Sequence, residues 1–330
     1  VGERVPIDFM GGQFIVLDGF ERVRRRRVVK VIRGCGGALA SWTSNKKAPV
    51  GVLVGDGFLP TVLPGAAPLE VDGVNLGGMD HRADELIDLA SARVYREDEI
   101  IASTGLGLST NARMSMLRGA LQGEPSQAGW RHAIAVLEAW PHDQGLDDAL
   151  RYAADLTRGW PADLCVSSRR WIKRSRQVSA PRMRLAKAVV VRQGDALRDV
   201  ARALDGAPRC EALTFLSHGV HTFPLALLRG VLAHDAARRV HTITLRFSTW
   251  WSLRASFHAA LLEADLPALE QIRVDPRLNR FAFFDQGQAL ALLAREPPVT
   301  FTDLEGAPVW RDAFLDEYRA SLLEEGGEGA

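Results

Sequence analysis

Ala188-Val189-Val190-Val191, Leu213-Thr214-Phe215-Leu216, Ile243-Thr244-Leu245-Arg246 and Ile272-Arg273-Val274 are four short β-branched runs in one repeating frame. Val299-Thr300-Phe301 closes the series. Counted from Val189 through Leu213, Ile243, Ile272 and Val299, the steps are 24, 30, 29 and 27 residues. Apolar segments of helical pattern follow the first four runs, at Ala196 to Leu204, Pro224 to Leu232, Leu253 to Leu262 and Gln288 to Leu293. A unit of this length cannot bury its apolar face alone, so neighbours must stack and share one core. Alternate strand positions, Leu213, Phe215, Ile243, Leu245, Ile272 and Val274, then point inward. The spacing predicts strands side by side in sequence order as one parallel sheet, with the helices on a single outer face. A doubly wound α/β domain, which also alternates strand and helix, would shuffle that order and place helices on both faces.

Over about residues 185–303 the pattern resembles leucine-rich repeats of the ribonuclease-inhibitor type, in which a strand plus a helix makes one step. The Asn or Cys usual after the strand is replaced, with His218, Ser248 and Pro276 standing near that place. The resemblance implies a surface that docks a protein partner. Trp250-Trp251 follows a repeat strand, where a solenoid loop places it at a rim, and exposed tryptophan is a frequent binding anchor.

Residues 13–102 carry a second ordered series. Phe14-Ile15-Val16-Leu17 reads as a strand ended by Asp18-Gly19, and a basic helix with Val28, Val31 and Ile32 on one face stops at Gly34-Cys35-Gly36-Gly37. Ala38 to Thr43, a Ser44-Asn45-Lys46-Lys47 turn and the strand Val50-Gly51-Val52-Leu53-Val54 follow. Asp84 to Ala92 reads as a helix, Arg93-Val94-Tyr95 as a strand, and Glu97-Asp98-Glu99-Ile100-Ile101 opens a last helix. This order resembles a BRCT domain, the small module of repair ligases, clamp loaders and checkpoint proteins, and implies a parallel sheet of about four strands with helices on both faces. The segment 56–83 is longer than most BRCT connections, and the tryptophan usual in the final helix is missing. The resemblance also implies a phosphate pocket built from a Ser or Thr after the first strand and a Lys in the second helix. Here Asp18 and Arg82 stand at those places, and a carboxylate there would repel a phosphate. Thr43, Ser44, Lys46 and Lys47 remain candidates for hydroxyl and cationic contacts.

Charge is uneven behind a net of +1: residues 111–185 carry 12 basic against 7 acidic side chains. Two basic clusters, residues 22–33 and 169–184, supply candidate phosphate contacts, Arg24, Arg25 and Arg27 in the first, and Arg169, Arg170, Lys173, Arg174 and Arg176 in the second. Trp171 lies among the latter, an aromatic between cations as in many nucleic-acid binders. A solvated helix face is the plain alternative for each cluster. Ala128 to Trp140 and Leu146 to Trp160 read as helices stopped by Trp140-Pro141 and Trp160-Pro161, their tryptophans packed inside.

Three widely spaced cysteines, Cys35, Cys165 and Cys210, read as thiols of a reducing compartment. With no apolar run of the roughly 18 residues that spans a bilayer and no signal-peptide pattern, the expectation is a cytoplasmic protein. No Walker loop, nucleophile elbow or paired-carboxylate arrangement is found, and His218 with His221 lacks a nearby third ligand, so no metal, cofactor or catalytic residue is expected.

The expected architecture is α/β: a leader over 1–12, a BRCT-like three-layer α/β head over 13–103, a helical basic connector over 104–184, a short leucine-rich-repeat-like α/β solenoid over 185–310, and a C-terminal helix with an acidic tail over 311–330. The expected function is non-enzymatic: a scaffold or adaptor whose BRCT-like head binds a partner protein or a DNA end and whose repeat array docks a second protein. Two alternatives stand beside it, a direct DNA-binding factor using the two basic clusters, and a regulatory subunit of an enzyme complex in bacterial defence or signalling.

Overall fold

The computed structural model describes residues 6–10, 12–40, 49–56, 68–72, 74–78, 92–167, 181–217, 223–247, 255–274 and 298–308. They fall into two units, Val1–Ala186 and Lys187–Ala330.

In the first unit, the order along the chain is β1 (Gln13–Val16), α1 (Arg25–Gly34), β2 (Ala38–Leu39), β3 (Gly51–Leu53), β4 (Pro68–Val71), β5 (Val74–Gly78), β6 (Arg93–Tyr95) and α2 (Glu97–Thr104). Strands β2-β1-β3-β6 form a four-stranded sheet in which every pair is parallel. Ile15, Val52 and Val94 lie in one row across it and pack against Val71 and Leu76 of the antiparallel hairpin β4–β5. That hairpin is the content of the long glycine- and proline-rich connection, which the sequence marked as a departure without giving it structure. It supplies the apolar cover this face of the sheet needs. Of the helix expected over Asp84 to Ala92, all but Ala92 lies outside the described residues, and Ala92 is buried and not helical. On α1, the buried Val28, Val31 and Ile32 share one stripe, and the helix packs on β1 and β2.

The expected connector belongs to the same unit. Helices α3 (Thr110–Leu121), α4 (Gln127–Ala139), α5 (Leu146–Leu156) and α6 (Pro181–Leu185) follow. Ser109 and Ser126 cap α3 and α4, their hydroxyls accepting N–H bonds from Ala112 and Gly129. Helix α4 is apolar nearly all round and touches α1, α2, α3, α5 and α6, so it is the central helix of the unit. Trp140 and Trp160 are buried as expected, and the Trp140 indole N–H donates to the Gln144 carbonyl at 2.8 Å. The expected leader also joins this core: Ile7 and Phe9 are buried, and the Phe9 and Phe14 ring centroids are 5.4 Å apart.

The second unit contains β7 (Ala188–Arg192), α7 (Leu197–Asp205), β8 (Ala212–Ser217), α8 (Leu225–Leu232), a 3-10 turn (Asp235–Arg239), β9 (Thr242–Phe247), α9 (Ala255–Glu263), β10 (Gln271–Val274) and β11 (Thr300–Asp303). Its strands lie in the order β11-β10-β9-β8-β7, all parallel, as the repeat spacing predicts. One buried row runs Val189, Leu213, Ile243, Ile272, Phe301, and a second runs Val191, Phe215, Leu245, Val274. The partner of Ile272 is therefore Phe301, two residues beyond the expected Val299, and the last step becomes 29 residues like the one before it. Helix α7 packs against α8, and α8 against α9, a row of successive neighbours. A bond pattern repeats before each strand: the Lys187 carbonyl accepts from Glu211 and Ala212, Glu211 from His241 and Thr242, and His241 from Glu270 and Gln271. Ion pairs Lys187–Glu211 at 2.9 Å and His241–Glu270 at 3.2 Å join the same positions sideways.

Candidate functional site

In an open parallel sheet, ligands gather beyond the carboxyl ends of the strands where the strand order reverses. In the first unit that point lies between β1 and β3. Gly19, at φ 82°, and Gly55 cross here: a Cβ on Gly55 would come 2.0 Å from the Gly19 carbonyl carbon, so only glycine lets the two loops touch. The buried carboxylate of Glu97, in the first turn of α2, closes the same corner. It accepts N–H bonds from Glu21, Arg22 and Val23 at 3.0, 2.7 and 2.7 Å, and from Asp56 at 3.4 Å. Burial acts to raise its pKa, but the backbone donors outweigh it and hold the carboxyl below its usual value. A carboxylate already occupies this crevice and takes four of its backbone donors. Asp18 stands open to solvent beside it, with Arg25 Nε 3.3 Å away.

The first basic cluster is divided by these contacts. Arg22 pairs with Asp56 at 3.1 Å and Asp98 at 3.4 Å, and Arg25 donates to the carbonyls of Val16 and Leu17. Those two arginines fasten the loop after β1, and Arg25 leaves the set of phosphate candidates. Arg24, Arg26, Arg27, Lys30 and Arg33 are exposed and make no ion pair among the described residues. Arg26, Lys30 and Arg33 stand at i, i+4 and i+7, with Arg27 beside them, so they form one stripe on the face opposite Val28 and Ile32. The arrangement works against the helix. Its first turn has cations at the positive end of the helix dipole and no acid, and its N-cap Arg24 makes no side-chain cap bond. Like charges at helical i, i+4 spacing cost about 0.2–0.5 kcal/mol per pair.

A cleft of about 290 Å³ flanks this stripe, lined by Arg27, Lys30, Leu106, Glu138, Trp140, His142 and Asp143 among others. Its carboxylate Glu138 is tied to the buried Arg182, 3.1 Å away, whose Nη1 also donates to the Gly34 carbonyl at 2.7 Å. Arg113 is buried without a carboxylate partner among the described residues. Its Nε donates to the Gly105 carbonyl and its Nη1 to Gln144, both at 3.0 Å, and it lies over the Trp140 ring. Burial first, and the charge of Arg27 second, lower the Arg113 pKa.

In the second unit the rows between the buried ones face the other way. Val190, Thr214, Thr244, Arg273 and Thr302 make one cross-sheet row, and Arg192, Leu216 and Arg246 another. Thr244 and Thr302 are nearly covered, while Val190, Arg192, Thr214, Leu216 and Arg273 are half-buried and Arg246 is exposed. None of these positions is acidic, and the three arginines have no ion-pair partner among the described residues; Arg273 donates to the Leu304 carbonyl at 2.8 Å. Parallel sheets are ordinarily covered on both faces. On this face, among the described residues, Arg246 is exposed and Arg192 and Arg273 are half-buried.

Of the expected site residues, Arg24, Arg25 and Arg27 are placed as above. Thr43, Ser44, Lys46, Lys47, Arg82, Arg169, Arg170, Trp171, Lys173, Arg174, Arg176, Trp250 and Trp251 lie outside the described residues, as do His218 and His221. Sequence reading missed Glu97 as an anchor. It also missed the open-face arginines, although the two-residue alternation within each β-branched run marks them. Cys35, Cys165 and Cys210 are buried and in no disulfide. Burial pushes the Cys35 thiol well up and the Cys210 thiol up to about 12, which keeps both protonated and poor nucleophiles. Among the described residues no group of three His, Cys, Asp or Glu is placed to hold a metal ion, and no helix is long and apolar enough to cross a membrane. Compared with known protein families, curated proteins and solved structures, the chain matches none.

Proposed function

We propose that this is a non-enzymatic recognition protein whose second unit docks an acidic protein partner on the open face of the β7–β11 sheet. The observation that carries this reading is the consecutive strand order, with helices α7, α8 and α9 as successive neighbours and Arg192, Arg246 and Arg273 on the sheet face opposite the buried rows. Half-covered Leu216 between arginines that have no ion-pair partner among the described residues brings apolar contact area and charge together, as a protein interface does. The consecutive order and the steps near 29 residues support the leucine-rich-repeat-like reading. The parallel four-stranded sheet and the helix end at Gly36 and Gly37 support the BRCT-like reading of the head. Since the corner between β1 and β3 is filled by Glu97, the head acts in this reading without the usual phosphate pocket.

The test is capture with in-cell cross-linking, using the unmodified chain and a Val190→Asp/Arg246→Glu variant. A partner cross-linked at the open face and lost from the variant, with thermal unfolding unchanged, supports the reading. A partner retained by the variant, or cross-linked only to α7, α8 or α9, overturns it.

A further inference from the structure

The stripe on α1 belongs to the other unit, and the protein-docking reading does not use it. We infer that Arg26, Arg27, Lys30 and Arg33 form a duplex DNA contact that grips the phosphate backbone without reading sequence. Four features of the unit converge on this. The stripe is continuous and exposed, and none of its cations has an ion-pair partner among the described residues. Four carboxylates of the unit are engaged by arginines outside the stripe: Asp18 with Arg25, Asp56 and Asp98 with Arg22, and Glu138 with Arg182, while Asp143 lies in the cleft beside Arg27 and Lys30. The loop leading into α1 is clamped by Glu97 through the backbone of Glu21, Arg22 and Val23, so the helix presents its charges from a fixed base. Finally, the helix keeps cations in its first turn against its own dipole, an arrangement that favours a bound anion and opposes the free fold.

The geometry selects an extended polyanion over a small one. The neighbouring cleft holds Asp143 and Glu138 alongside Arg27 and Lys30, which disfavours a free phosphate inside it. From Arg26 to Arg33 the stripe runs about 10 Å along the helix axis, and a duplex presents about six phosphate charges over that length. Single-strand binders add aromatic platforms on which bases stack. Trp140, the aromatic that lines the neighbouring cleft, is only 3% exposed, so it offers no such platform. Arginine and lysine contacts to phosphate position a protein on DNA without specifying sequence.

The experiment titrates the full chain against a fluorescent duplex of about 25 base pairs, of mixed sequence, over a series of salt concentrations. Four phosphate contacts predict a slope of about −3.6 in log affinity against log salt, about a hundredfold loss between 50 and 200 mM. Arg26→Glu/Lys30→Glu/Arg33→Glu is expected to lose measurable binding while its thermal midpoint stays close to that of the unmodified chain, since Arg26→Glu suits the helix start and Arg33→Glu opposes its last turn. Arg26→Lys/Arg27→Lys/Arg33→Lys keeps the charge and is expected to keep the slope. The inference is overturned if the unmodified chain shows no binding at 50 mM salt, or if the reversed variant binds as well as the unmodified chain. Tighter binding to a single strand, or binding lost only on reversing Arg170, Lys173 and Arg174, also overturns it.

Discussion

The two sheets of this chain use the same ingredients, short parallel strands joined through helices, and reach opposite outcomes. In the first unit β1 lies between β2 and β3, so the order reverses at one point and a corner opens there. The fold fills that corner itself, with the Gly19–Gly55 crossing and the Glu97 carboxylate, and covers one sheet face with a hairpin. In the second unit each strand lies beside its sequence neighbour, and the described helices form one row. There the sheet face opposite the buried rows carries Arg192, Arg246 and Arg273, with Arg246 exposed among the described residues. Strand order alone thus decides where unsatisfied surface is left: on α1 in one unit, across a sheet in the other.

The comparison is broken most severely at Gly55. Gly55→Val is expected to prevent the first unit from folding, a loss beyond about 4 kcal/mol, because the clash is with backbone that cannot swing away. A folded variant by circular dichroism and amide exchange would show that the two loops can part. Next in size is Leu245→Ala in the middle of the second buried row, expected to cost about 2–5 kcal/mol. Each repeat shares its core with its neighbours, so calorimetry should show the second unit melting earlier as one transition.

Glu97→Gln comes third, at about 1.5–3 kcal/mol, since an amide can accept only some of the four backbone bonds that the carboxylate accepts. The sign with pH follows from its lowered pKa. The stabilisation is fully present above the unfolded glutamate value of about 4.3, and is lost as pH falls through the lower folded value. The gap between the unmodified chain and Glu97→Gln should therefore narrow on acidification below that range, and a constant gap in urea titrations would argue against the anchor. Smallest is Arg246→Ala on the open face, expected within about 0.5 kcal/mol of the unmodified chain. A larger change would mean that Arg246 serves the fold and is not held for a partner.

The repeat was legible because its signal is periodic: a β-branched run every 24 to 30 residues fixes both the neighbours and the buried parity of each strand. Only the fourth step slipped, where Val299 and Phe301 are both apolar with the same parity, and composition cannot separate a shift of two. The head was legible through Gly19, Gly36 and Gly37, each at a turn. The hairpin β4–β5 was hidden, because Pro68 to Gly78 is two short strands without strong alternation. The basic cluster was visible as composition, but its division was not. That Arg22 and Arg25 hold the fold while Arg26, Lys30 and Arg33 stay unpaired depends on Asp18, Asp56 and Asp98, and two of these are distant in sequence.

The hairpin has a further effect, at the border of the first sheet. Strand β6 lies at the end of the order β2-β1-β3-β6 and bonds to the β3 side through the Arg93 N–H and the Tyr95 carbonyl, which leaves the Val94 N–H facing outward. Asp72, at the hairpin tip with φ 52°, accepts that N–H at 3.2 Å, and Asp is among the few residues that adopt this conformation readily. An outward strand edge is a template on which another molecule can add a strand. Asp72 blunts it with a carboxylate, which disfavours the addition of a strand there. Loss of Asp72 would register as polymers in concentrated solution well before any change in the melting curve.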